Sequence, residues 1–274
     1  MSQWISFASG GGSITNLDTT YEEAGFGSGD GTLITTTSPA HTKGAYVQII
    51  ASTANNWAGF WLSIAGASTS ASRFLFDISF DGGSTVAVPN FFIQPGGTLN
   101  GQGPLLFIPV NVPLGSNIQV RAQAGNATHS FRMAILGVIR NSGSRPLFNT
   151  CTAITTADTA ATWPGTTSIP LTNAWTEMTA STSATYGAVM ANFGATTTPA
   201  TAQVVSFAVG QGAASAEVEM DRNLSNFSTS SPPLRGANGF MIETSVPSGT
   251  RMACRAYGAT PGSDFVVGQL YGFS

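Results

Sequence analysis

The sequence predicts an all-β fold: two tandem antiparallel β-sandwich domains related by an internal repeat, with an extended N-terminal arm in front. Three observations carry this expectation. Apolar residues alternate with period two through several segments, the pattern of strands with one buried face. No stretch keeps a 3.6-residue apolar period beyond about two turns, whereas β-branched Thr, Val and Ile abound and Lys and Glu are scarce. The two halves of the chain also resemble each other, which points to a duplicated unit.

The repeat is explicit in two blocks. YVQIIASTANNWAG, from Tyr46 to Gly59, aligns with WTEMTASTSATYGA, from Trp175 to Ala188, at an offset of 129 residues. Ala-Ser-Thr is shared, and aromatics match at both flanks: Tyr46 with Trp175 and Trp57 with Tyr186. The same offset sets Phe76, Ile78 and Phe80 opposite Val205, Phe207 and Val209. VPLGSNIQVRAQAG, from Val112 to Gly125, matches VPSGTRMACRAYGA, from Val246 to Ala259, at an offset of 134. Phe131 with Phe265 and Leu136 with Leu270 continue that offset to the end of each half. The change of offset falls in an irregular stretch between Gly83 and Val112, where an insertion is tolerated.

Each block reads as strand and turn. In RFLFDISFD, residues Phe74, Phe76, Ile78 and Phe80 face one way, and Leu75, Asp77 and Ser79 the other. Asp-Gly-Gly then closes the strand, because glycine accepts positive φ. In NIQVRAQ, Ile118, Val120 and Ala122 alternate with Gln119, Arg121 and Gln123. The preceding Val-Pro-x-Gly is a turn, with proline fixing φ. FRMAILGVI and FVVGQLYGF, which close the two halves, are apolar on both faces. They belong in mid-sheet or beneath another domain or subunit. Turn signals every eight to twelve residues suit sandwiches. The expected organisation is an acidic, glycine-rich arm at 1–36, a first sandwich at 37–140, a linker at 141–165 and a second sandwich at 166–274.

Charge is the compositional outlier. Of 274 residues only 8% are charged, against roughly 25% in ordinary soluble domains. Little repulsion then keeps neighbouring copies apart, as suits faces covered by other subunits. Residues 1–36 hold Asp18, Glu22, Glu23 and Asp30 and no base, and Lys43 is the single lysine beside nine arginines. Arginine favours interfaces through its planar, weakly hydrated fork. A net charge of −3 without a basic stripe argues against nucleic acid. No apolar run is long enough for a membrane helix, and the N-terminus lacks a secretory pattern. Two cysteines, Cys151 and Cys254, give no disulfide framework. Synthesis and assembly in a bacterial cytoplasm is the expected setting.

Catalytic patterns are thin. His41 and His129 have no metal-ligand spacing around them, and no G-x-S-x-G elbow is present. Asp77 and Asp81 sit about 13 Å apart along one strand, too far for either glycosidase geometry. No enzyme, cofactor or metal is expected. Arg121 and Arg255 are the one charged position shared by both halves. Either they pair with acids across an inter-subunit or inter-domain contact, Asp77 and the acidic arm being candidates, or they lie over a strand face with the head in water.

The repeated V-P-x-G-[Ser/Thr]-x-[Ile/Met]-x-[Val/Cys]-R-A segment, with its apolar closing strand, resembles repeats in structural proteins of tailed-bacteriophage particles. The likeness covers residues 40–274. It implies jelly-roll-like sandwiches, no catalytic residues, a place in the virion and other virion proteins as partners. The expected role is capsid decoration or head attachment by a homo-oligomer, a trimer being one option. Interface candidates are Arg121, Arg255, Asp18, Glu22, Glu23 and Asp30. The alternative role is a tail, baseplate or fibre module binding host glycans through Trp57, Trp61, Tyr186 and Tyr257.

Overall fold

The computed structural model describes residues 21–26, 31–66, 73–95, 102–125, 128–139, 148–155, 167–195, 201–229, 234–235, 239–260 and 265–274. Among these residues every regular element is a strand. The first half contributes β1 (Tyr21–Ala24), β2 (Thr32–Thr35), β3 (Val47–Ile50), β4 (Trp57–Gly66), β5 (Phe74–Ser79), β6 (Val88–Ile93), β7 (Gln102–Ile108), β8 (Ile118–Ala124) and β9 (Ser130–Ile139). The second contributes β10 (Cys151–Ala153), β11 (Thr167–Pro170), β12 (Thr176–Thr179), β13 (Ala188–Ala195), β14 (Gln203–Gln211), β15 (Val218–Phe227), β16 (Leu234–Arg235), β17 (Gly239–Ile242), β18 (Met252–Gly258) and β19 (Phe265–Phe273).

Strand order makes the duplication visible. In the first half β1 and β2 both pair with β9, giving one sheet that runs on through β4 to β7. The other sheet runs β3-β8-β5-β6. The second half repeats this strand for strand: β10 and β11 on β19, then β13 and β17, against β12-β18-β14-β15-β16. This interleaving of two layers, of five and four strands in the first half and five and five in the second with β16 added on β15, is the jelly-roll arrangement. All the ladders are antiparallel.

The two motifs singled out in sequence meet in space. Thr53 of Ala-Ser-Thr donates its hydroxyl to Pro113 O at 2.9 Å and accepts from Ser116 N–H at 3.0 Å. Thr182 repeats this on Pro247 O at 2.7 Å and Thr250 N–H at 3.0 Å. The V-P-x-G turn needs its glycine, since Gly115 and Gly249 sit at φ +81° and +84°. One threonine thus ties the start of each sandwich to the turn that opens its eighth strand.

Three expectations require correction. Residues 21–24 and 32–35, read as arm, are strands that bury Ala24 and Ile34 against β9. They are four residues long and present few inward apolar positions, too short a pattern to read as strand. The same applies to β10, inside the expected linker, which pairs with β19. In the closing strands Leu136 does not correspond to Leu270. Phe60 faces Gly137, and its repeat partner Val189 faces Gly272, so the offset there is 135. A slip of one residue exchanges the faces of a strand: Ile135 is equivalent to Leu270, and Leu136 to Tyr271.

The core of the first sandwich extends onto the outer face of the second, whose own interior forms a separate cluster. Phe74, Phe76, Phe91 and Phe131 of the first sandwich belong to the same buried cluster as Met190, Tyr271 and Phe273 of the second. The open edge of the first sandwich, β6 and β7, lies on the outer face of β13 and β19. Leu75 and Phe92 pack on Val267. Tyr271 donates its hydroxyl to Asn90 O at 2.9 Å and accepts from Phe92 N–H at 2.7 Å. Gln94 and Ala195 exchange two hydrogen bonds, and Asn192 Nδ2 donates to Phe92 O. The closing strand β19 is therefore mid-sheet and also beneath another domain, which is why it is apolar on both faces. β5 is buried on both sides, where only one buried face was expected: Leu75 by Val267 of the second sandwich, Asp77 and Ser79 by polar partners within the first.

Candidate interaction surface

The shared arginines are engaged within their own sandwiches. Arg121, on β8, lies over the Tyr46 ring at 4.8 Å and donates to Asp77 Oδ2 at 2.9 Å. Arg255, on β18, lies over the Trp175 ring at 4.4 Å and pairs with Glu219. The duplicated block therefore carries one station, an arginine between an aromatic face and a carboxylate. Asp77 is buried. Burial pushes its carboxyl up, but Lys43 at 2.8 Å, the Asn90 N–H and Arg121 outweigh this and hold it below the usual carboxylate range. Arg251 is likewise paired, with Glu177 and Glu217.

Of the acidic candidates, Asp18 and Asp30 lie outside the described residues. Glu22 is a clasp: its carboxylate accepts from Ala54 N–H at 2.7 Å, Trp57 Nε1–H at 2.8 Å and Asn55 Nδ2 at 3.2 Å. Burial raises its pKa, but these hydrogen bonds bring it below the ordinary value. Glu23 is exposed next to it.

The aromatic candidates divide. Trp57 and Tyr186 are fully buried, each with its ring against the glycine across the ladder, Gly137 and Gly272. Neither offers a ring face to a ligand. Tyr257 is 51% exposed on the second sandwich, whereas Trp61 is half-buried on the first. They lie in different sheets of different sandwiches and form no common site. Cys151 and Cys254 are free and buried, and burial pushes both thiols up. Among the described residues no group of His, Cys, Asp and Glu could hold a metal ion.

What sequence reading did not find is a row of apolar side chains across the outer face of the first sandwich. Trp61 on β4 stands between Leu136 on β9 and Phe107 on β7, with the Trp61 and Phe107 rings 5.0 Å apart. Val138 lies one row above, and Leu105, 62% exposed, one row below. Repeat equivalence makes Trp61, Leu136 and Phe107 the counterparts of Met190, Tyr271 and Met241. In the second sandwich that row is covered by the first sandwich. In the first, nothing of the chain's described residues closes over it. The alternation Trp61, Ser63, Ala65 on the face opposite Phe60, Leu62 and Ile64 is the signal that could have located it.

No protein-family model matches the chain, and no curated protein matches it in sequence. Solved structures match the chain at low identity. The STIV MCP is 11% identical, with a TM-score of 0.36 over 89% of this chain and 96% of the other. PNGF-II is 11% identical, with a TM-score of 0.43 over 95% of this chain. The chain spans 62% of PNGF-II's length. The CBM22-1-CBM22-2 tandem domain of Paenibacillus barcinonensis Xyn10C matches with a TM-score of 0.23 at 10% identity.

Proposed function

We propose that this chain is a structural protein of a virus particle, specifically a capsid decoration or head-attached protein of a tailed bacteriophage. It acts by packing against other subunits and has no catalytic role. The observation that carries this reading is the apolar row of Trp61, Leu136 and Phe107 on the outer face of the first sandwich, with Glu23 at its β1 end, in a chain with 8% charged residues. Soluble domains rarely leave large apolar patches open, and those that do use them for contacts. The few charges present do not contradict it: Lys43, Arg121, Arg222, Arg251 and Arg255 are all in ion pairs inside one sandwich. Little net field therefore reaches the faces, and association rests on apolar and neutral polar burial.

The test is co-sedimentation of the purified protein with capsids lacking it, with isolated bacterial envelope as the parallel arm. Saturable binding to capsids alone supports the packing role. Binding to envelope alone overturns it in favour of host recognition, with exposed Tyr257 as the first residue to replace.

A further inference from the structure

We infer that the outer face of the first sandwich docks the open edge of the second sandwich of another copy, repeating between chains the joint that holds the two sandwiches together within one. This names a partner and a surface for the packing role proposed above and depends on that role.

The chain contains two copies of the same unit but only one joint. The joint needs two surfaces: an outer face of a β10/β11-β19-β13-β17 sheet, and an open edge formed by β6, β7 and the outer side of β5. Each sandwich owns both surfaces. One face and one edge are consumed within the chain, so one face, on the first sandwich, and one edge, on the second, are left over.

Both leftovers keep part of the apolar character of their used counterparts, with Arg132 in the place of Val267 on the face and Asn226 in the place of Phe92 on the edge. The leftover face presents Trp61, Leu136 and Phe107 where the joint uses Met190, Tyr271 and Met241. The leftover edge is equally marked. Leu75, which packs on Val267 in the joint, has Val204 as its repeat partner, and Val204 is 57% exposed. Leu224, 64% exposed, lies beside it, opposite Ser206. Leu106 is buried in the joint against Gly239, while its partner Phe240 is only half-buried. Exposed Val204 thus falls at the position of Leu75, which the existing joint buries, and exposed Leu224 extends the apolar surface beside it at the position of Asn90.

A second copy of this chain is the one occupant that carries both complementary surfaces. Because face and edge differ, the contact is heterologous: chains join head to tail, each offering one face and receiving on one edge.

The experiment is complementation between two variants, read by sedimentation velocity. Trp61→Glu removes the face and Leu224→Glu the edge, with Leu105→Glu and Val204→Glu as second choices if either fails to give a native melting curve. Wild type is expected to associate with rising concentration, and each variant alone to be monomeric, with at least a tenfold weaker association. An equimolar mixture is expected to give dimers and nothing larger, since one intact face and one intact edge remain. A monomeric wild type, variants that still associate, or a mixture that stays monomeric would each overturn the inference. A monomeric wild type that binds capsids would do so while leaving the packing role standing.

Discussion

Asp77 is the residue on which most of the local polar order of the first sandwich converges. Its carboxylate holds Lys43, Arg121 and the Asn90 N–H. Replacing it with Ala leaves two cations facing a buried hollow, and the loss should be about 3 kcal/mol, measured by urea unfolding. Asp77 and Glu22 both sit below their ordinary pKa, so the native state favours the ionised forms. Their contribution is complete above the unfolded values, about 3.9 and 4.3. It is lost as pH falls through the lower native values. Stability should therefore drop between about pH 4 and pH 2, and Asp77→Asn should flatten that dependence. A steric prediction belongs here too. A Cβ on Gly137 would lie 2.2 Å from the Trp57 ring, and one on Gly272 2.4 Å from Tyr186. Gly137→Ala and Gly272→Ala should each cost about 1–3 kcal/mol or more by thermal unfolding. Gly137 and Gly272 were the legible key to the true alignment of the closing strands. The Phe131–Phe265 and Leu136–Leu270 matches look better by letter, but a glycine under each large aromatic is what the packing requires.

At the scale of the element, β19 shows what a strand pattern can and cannot convey. Its apolar run implied cover on both sides, and the structure supplies it from within the sheet and from the first sandwich. The burial of both faces of β5 was not legible, because Leu75, Asp77 and Ser79 read as an outward row until Val267 is placed on Leu75 and the polar partners of Asp77 and Ser79 are in position. Strands β1, β2 and β10 were missed because three or four residues with one or two inward side chains make no measurable period. Arg121 and Arg255 were found by repetition, and so were their aromatic partners Tyr46 and Trp175; Asp77 was named as an acid partner but across a contact between units, and its place within the same sandwich, like the pairing with Glu219, required the sheet register. The polar centre of the joint gives an element-scale prediction. Tyr271→Phe leaves Phe92 N–H without its acceptor in a buried contact, which should cost about 1–3 kcal/mol. The measurement is urea unfolding, with limited proteolysis between the sandwiches as a second readout.

For the whole molecule, the decisive feature is that the apolar cluster of the first sandwich takes in the outer face of the second. Domains joined by small polar contacts move and melt separately, whereas this joint should make the two halves unfold in a single calorimetric transition. The chain's ion pairs form within single sandwiches, and apolar side chains such as Leu105, Val204 and Leu224 stand outward beside a few exposed charges. The account's central claim is that the protein works by burying such faces against other subunits. Its most direct measurement is a salt titration of capsid binding from roughly 0.1 to 1 M, where screening shortens from about 10 Å to 3 Å. The prediction is saturable binding whose Kd changes by less than about threefold, because exposed charges contribute little. Binding that weakens tenfold or more across that range, or that never saturates, would contradict it.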